Sequence, residues 1–279
     1  MMSKIIQISD THIVAEGALA YGRSDTAAAL HAAVATINAA LPRIGPVDCA
    51  IVTGDLVDFA LPKEYARFRS IMDALDLPYL AIPGNHDRRD SMRKAFANCD
   101  WMPRSGPVQW RRDLPDFTIL GLDTLVAGKH HGEISDAGFA FLDAALTGLG
   151  DHPVLVATHH PIFHSGITPM DLNNLRNGMA LLQRLSRHTG QVRLVSGHLH
   201  RTMTAQFGKV TCQIGPATCH AVHLDQRDGA INALRMEPGG VTLLEWRSKP
   251  FPGFVSDVLP VGDFQGPWPF YATQEAYQP

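Results

Sequence analysis

The sequence predicts an α/β fold with a largely parallel core, on two observations. Apolar runs of strand length alternate with stretches whose apolar residues recur every three or four positions, and five of those strand-like runs end in Asp, Asn or His. With 279 residues and 45% apolar composition, the chain can bury the core of one large domain, or of one domain with an appendage.

KIIQIS (4–9), CAIVT (49–53), YLAI (79–82), FTILGL (117–122), VLVAT (154–158) and VRLVS (192–196) read as buried strands. A helix from about Asp25 aligns Leu30, Val34, Ile37 and Leu41 on one stripe. A second starts at Pro62, a favourable first helical residue, and places Tyr65, Phe68, Met72 and Leu75 together. A third follows Ser135 with Phe139, Leu142 and Leu146 apolar, and a fourth covers Arg176 to His188. After residue 200 the runs TMTAQF, KVTCQI, AVHLD, AINALRM and VTLLEW are short and separated by Gly, Pro and Asp, which predicts an antiparallel meander. Residues 1–248 are expected to form the main domain, and 249–279, rich in Pro and aromatics, an extended arm.

Composition narrows the function. The 24 Lys and Arg against 27 Asp and Glu give a formal net charge of −3 without basic or acidic blocks, which argues against an extended nucleic-acid surface. No apolar run approaches a bilayer span and the N-terminus lacks an apolar signal segment, so no membrane partner and a cytoplasmic location are expected. The four cysteines form no CxxC pair, and Cys49 reads as a buried thiol.

The predicted strand ends carry the chemistry. IIQIS runs into Asp10-Thr-His12, AIVTG into Asp55, LAIPG into Asn85-His86-Asp87, VLVAT into His159-His160, and RLVSG into His198-Leu-His200. A single Gly-Asp or Gly-Asn break is ordinary turn chemistry. Turns do not call for histidine at several strand ends together, whereas clustered His and carboxylates suit a metal or catalytic site. Asp10, His12, Asp55, Asn85, His159, His198 and His200 make seven donors, too many for one tetrahedral zinc and suited to two metals with a bridging carboxylate. Imidazole and oxygen donors without thiolate favour Mn, Fe, Zn or Co, as divalent or mixed-valence ions.

In order and spacing, Asp10-x-His12, Gly54-Asp55-x-x-Asp58, Gly84-Asn85-His86-Asp87, His159-His160-Pro161 and Gly197-His198-x-His200 resemble the five motifs of the calcineurin-like metallophosphoesterases. The resemblance implies a four-layer αββα sandwich of two mixed sheets with flanking helices. It makes Asp10, His12 and His200 ligands of one metal and Asn85, His159 and His198 ligands of the other, with Asp55 bridging. It implies that a metal-bound hydroxide attacks phosphorus, with Asn85 and His86 touching substrate and His86 stabilising the phosphoryl charge or protonating the leaving group. Two departures touch no ligand: Asp87 stands where Glu is common, and Ile162 where a second Pro is common. Asp58 reads as orienting a ligand or entering a helix, and His160 as packing or hydrogen bonding. The strand before His220 is expected to end near the metal face, which makes it a candidate substrate contact, whereas His130 and His131 read as solvated loop residues. Met170, Asp171 and Asn177 could shape the pocket mouth or simply connect a loop to a helix.

Within the family, Phe59-Ala60 after the second motif departs from the Arg-Gly of the serine/threonine phosphatases. The compact size, the loop after the fourth motif and the segment GPWPFY resemble bacterial class III cyclic nucleotide phosphodiesterases and glycerophosphodiesterases. A phosphodiesterase acting on small diesters is therefore expected, with a phosphomonoesterase on the same centre, or a non-catalytic scaffold of the same fold, as alternatives. Phe251, Phe254, Phe264, Trp268 and Phe270 need cover, from their own domain or a neighbouring subunit. The resemblance favours a homo-oligomer.

Overall fold

In the computed structural model, which describes residues 2–270, β1 (Lys4–Ile8) buries Ile5, Ile6 and Ile8 completely, so both of its faces are covered and it is a central strand. The Asp25 side chain accepts from Ala28 N at 3.0 Å and starts α1 (Thr26–Ile44). This helix has the length and mean hydropathy (1.2) of a membrane-crossing segment, contrary to the sequence expectation, but it packs Leu30, Ala33, Val34 and Ile37 into the core. Strand β2 (Cys49–Thr53) is buried throughout. Pro62 opens α2 (Pro62–Met72), where Glu64 Oε2 reaches back to Phe59 N and Leu61 N at 3.1 Å each. Strand β3 (Tyr79–Ile82) and α3 (Arg89–Ala95) follow.

The second half begins with β4 (Trp110–Asp113) and β5 (Thr118–Gly121), then α4 (Asp136–Leu149), capped by Ser135. Next come β6 (Val154–Ala157), the single turn α5 (Thr168–Asp171), α6 (Gly178–Arg187), β7 (Val192–Ser196), β8 (Met203–Phe207) and β9 (Val210–Ile214). Short strands β10 (Ala221–Val222) and β11 (Leu234–Arg235) form a two-stranded ribbon, and β12 (Gly240–Arg247) and β13 (Gly253–Pro260) a hairpin.

Two mixed sheets result, ordered β13-β12-β1-β2-β3 and β4-β5-β6-β7-β9-β8. The first three strands pair in parallel, as do β5, β6, β7 and β9, with antiparallel strands outside them. Strand alternation builds the layers. Ile119, Leu155 and Val195 share a core with β1, β2 and helices α1 to α3, while Leu120, Val154, Val156 and Leu194 face Leu142, Leu181 and Leu185 of α4 and α6. The molecule is a helix–sheet–sheet–helix sandwich, as the family resemblance implied.

Two expectations need correction. The segment after residue 200 is not one meander: the β8–β9 hairpin extends the second sheet, with β9 parallel to β7, while β12 crosses back to pair with β1. The boundary at 248 also does not separate an arm, because Gly253–Pro260 pairs residue for residue with β12 as the edge of the first sheet. Phe254 packs between Phe117 and Trp246, with ring centroids 5.1 Å from each. Phe251, Phe264, Trp268 and Phe270 are exposed, and Tyr271 of GPWPFY lies outside the described residues.

Candidate metal centre

The parallel strands β1, β2, β3, β6 and β7 all deliver their polar residues at their carboxyl ends, the edge where α/β sheets assemble sites. Among the described residues, seven non-glycine positions have positive φ, and five are Asp10 (52°), His12 (44°), Asp55 (49°), His198 (73°) and His200 (54°). A side chain in that region is sterically unfavourable, so the turns are held by their surroundings. Motif glycines permit the crowding: a Cβ on Gly84 would land on the Asp55 carboxylate, and one on Gly197 on Ser9 and Asp10.

All seven predicted donors meet in one place. Asp10, His12 and His200 offer ligand atoms within 4.8 Å of one another, as do Asp10, Asp55 and His159, and His159 with His198. Asp55 Oδ2 stands 3.5 Å from His12 Nε2 and 3.3 Å from His159 Nε2, between the two groups. His159 Nε2 lies 3.1 Å from Asn85 Oδ1, and His200 Nε2 3.6 Å from Asp10 Oδ1. Donors about 2.1 Å from one ion sit roughly 3.0–3.4 Å apart, so these separations have the scale of coordination edges.

The hydrogen bonds behind the donors test the fit. His12 Nδ1 donates to Asp58 Oδ1 (3.0 Å), His159 Nδ1 to Thr53 O (2.8 Å) and His200 Nδ1 to His220 O (3.0 Å). Those acceptors fix the proton on Nδ1 and turn the Nε2 lone pairs inward. His12 Nε2 and His200 Nε2 are then two lone pairs 3.0 Å apart, and His159 Nε2 faces the Asn85 carbonyl oxygen. His198 Nε2 is buried without a hydrogen-bond partner among the described residues. Convergent acceptors with no donor between them fit cations, and the residues present fit a binuclear centre.

Asp10 is held by a chain of buried groups. Gln7 Nε2 donates to Thr53 Oγ1 (3.0 Å), Thr53 Oγ1 to Ser9 Oγ (2.7 Å), and Ser9 Oγ to Asp10 Oδ2 (2.6 Å). Thr53 thus serves both halves, its hydroxyl acting on Asp10 and its carbonyl on His159. Asp87 ties the third motif to the second: its carboxylate accepts from Gly84 N, Leu56 N and the Tyr65 hydroxyl at 2.9, 3.2 and 2.8 Å. Burial and the neighbouring Asp55 push that carboxyl up to about 6. His86 Nδ1 donates to Asp58 O (2.9 Å); burial opposes its charge, but Asp55 and Asp58 push the imidazole up to about 10.

His160 has both ring nitrogens engaged, Nδ1 with Thr124 Oγ1 (2.7 Å) and Nε2 with His130 O (3.0 Å), so it packs beside the ligand set as expected. Asp171 accepts from Ser165 and Gly166 within its loop, and Asn177 bonds both backbone groups of Ile134, so these two connect loop to helix. A cavity of about 430 Å³ opens on His12, Asp55, Asn85, His86, His198 and His200. Its walls include Met170 and His220, and also Tyr21, His130, Asn173 and Asn232, which sequence reasoning missed. His130 is an exposed loop residue as expected, and it also stands at the mouth with its ring 6.4 Å from that of His86, its backbone pinned by His160. Tyr21 and the two asparagines come from loops whose sequence has no periodic signal; the positive φ of Tyr21 is visible only in three dimensions.

A fold of two mixed sheets with an edge-gathered His and Asp cluster defines a metal-dependent phosphoesterase. Residues 3–202 match the family model described as calcineurin-like phosphoesterase, and the chain belongs to that family. It is 33% identical to "Probable glycerophosphodiester phosphodiesterase GpdQ" of Arcobacter nitrofigilis, across 96% of each chain. It is 37% identical to "Probable cyclic nucleotide phosphodiesterase RPA0124" of Rhodopseudomonas palustris, across 80% of each. Among solved structures, a dimetal phosphatase from Danio rerio superposes with a TM-score of 0.59 at 15% identity, covering 93% of this chain and 99% of that one, a likeness of fold.

Proposed function

We propose that the protein hydrolyses small phosphodiesters, of the cyclic nucleotide or glycerophosphodiester type, at a binuclear centre. One observation carries the choice of diester: among the described residues, no Lys or Arg lines the cavity above the cluster, Arg88, Arg89 and Arg93 lining only the adjoining groove. A diester carries a single negative charge, whereas a terminal phosphate carries about −1.5 to −2 at neutral pH and would draw on further cations. The names of the two relatives above support the same class.

In this reading Asp10, His12 and His200 hold one metal, Asn85, His159 and His198 the other, and Asp55 both, with Mn, Fe, Zn or Co as candidates. The ions would supply Lewis acidity at the phosphoryl oxygens and a nucleophile drawn from water at neutral pH. His86 does the rest from the protein side. Its Nδ1 is engaged by Asp58, so the remaining N–H at Nε2 is free to bond a phosphoryl oxygen or give its proton to the departing alkoxide. Asp58 orients His12 and His86 together, at 3.0 and 3.3 Å from its Oδ1.

The test is initial rates on bis(p-nitrophenyl) phosphate and p-nitrophenyl phosphate, with Mn²⁺ or a chelator, for wild type and Asp55→Asn. Faster diester cleavage, abolished by chelation and by the substitution, is expected. Turnover of the monoester alone would replace the diester with the monoesterase reading, and no metal-dependent turnover would favour a scaffold.

We also infer a homo-oligomer. The support is the exposed Phe251, Phe264 and Trp268 beside β13, an edge strand paired on one side. Light scattering that gives a monomer mass at micromolar concentration would end that reading.

A further inference from the structure

A second concavity adjoins the one above the metal cluster. It is an open groove of about 1340 Å³, and it shares Asn85, His86 and His130 with the 430 Å³ cavity. His130 forms the ridge between them. The ridge is built in: His160 Nε2 holds the His130 carbonyl, Thr124 holds the other side of the His160 ring, and Gly132 leaves that ring the space a side chain would fill. On the far side Phe59, Pro107, Leu125, Val126 and Ala127 supply apolar lining, together with the charged Arg89, Asp90, Arg93 and Glu133. Phe59 is 65% exposed. Arg88 adds a guanidinium with no side-chain partner among the described residues.

A tetrahedral phosphorus sends its two ester oxygens in diverging directions. With phosphorus over the cluster beside Asn85 and His86, the departing substituent lies in the 430 Å³ cavity and the one retained on phosphorus must leave past His130. Resting on the phosphodiesterase reading, we propose that the groove beyond His130 is a binding site for the ester arm of an acyclic diester that stays on phosphorus, a bulky arm with an apolar face. The cavity alone suffices for a diester with one small arm, so the groove sets preference for diesters carrying two large substituents.

The test fills the groove from a loop position outside the catalytic machinery. Ala127 is exposed in the turn where Lys129 N bonds Val126 O, so Ala127→Trp adds a ring to the groove without entering the core. kcat/KM is measured with Mn²⁺ on bis(p-nitrophenyl) phosphate, which has two bulky arms, and methyl p-nitrophenyl phosphate, which has one. At least a tenfold loss on the first with less than a threefold change on the second is expected. Phe59→Ala, which removes one wall, is expected to raise KM severalfold on the two-armed diester alone. Equal losses on both substrates, or no loss on either, would overturn the proposal while leaving the diesterase reading intact. If wild type cleaves neither diester, the diesterase reading fails and the groove assignment falls with it.

Discussion

Thr53→Val tests whether the buried chain from Gln7 to Asp10 positions a metal ligand or merely packs. Valine keeps the shape and removes the hydroxyl, so two hydrogen bonds go: the one accepted from Gln7 at 3.0 Å and the one donated to Ser9 at 2.7 Å. Gln7 Nε2 keeps Ser196 O at 2.9 Å, whereas Ser9 Oγ loses its donor. Two bonds at about 1 kcal/mol each, with one buried oxygen left short, give a loss of about 2–3 kcal/mol. For a chain of this size that corresponds to a melting temperature lower by about 3–5 °C. Melts are run in excess chelator, which removes the metal from the comparison. Mn²⁺ affinity, followed separately by titration calorimetry, is expected to weaken by about 10–100-fold, because a ligand that has lost its hydrogen-bonded support reorients more freely. Thr53→Ser, which keeps the hydroxyl, is expected to behave like wild type in both measurements. A Val variant that melts early yet binds Mn²⁺ with wild-type affinity would refute the positioning role and leave only packing.

Gly84→Ala puts a methyl onto the Asp55 carboxylate and backbone nitrogen, neither of which can swing away. Overpacking of about 1–3 kcal/mol and at least a tenfold loss of metal affinity are expected, and elemental analysis after gel filtration would show it. Ellman's reagent on the native protein is expected to modify Cys99 alone at an appreciable rate. Cys49, Cys212 and Cys219 are buried, and burial pushes each thiol up to about 12. Two or more fast thiols would contradict that burial.

Elements were legible where local chemistry and periodicity agreed. Asp25, Pro62 and Ser135 begin their helices as expected, and the six long apolar runs are strands. Helix α3 escaped because it buries only Met92 and so has no stripe, and α5 is a single turn. After residue 200 each short strand looks alike, and partner choice is a non-local property. The β8–β9 and β12–β13 hairpins share a local pattern yet belong to different sheets. The metal donors were legible because every parallel strand ends at the same edge, so strand-end chemistry adds up. The cavity walls were not, since Tyr21, His130, Asn173 and Asn232 come from irregular segments whose convergence depends on the whole fold.

The left-handed backbone at Asp10, His12, Asp55, His198 and His200 has a consequence for how the protein tolerates change. At about 1 kcal/mol each, the five positions withhold about 5 kcal/mol from the folded state, comparable with the whole stability of many domains. Glycine at any of them would relax the chain there and delete a donor in the same stroke, so the strain is held for the site and not for the fold: no substitution recovers it while the ligand is kept.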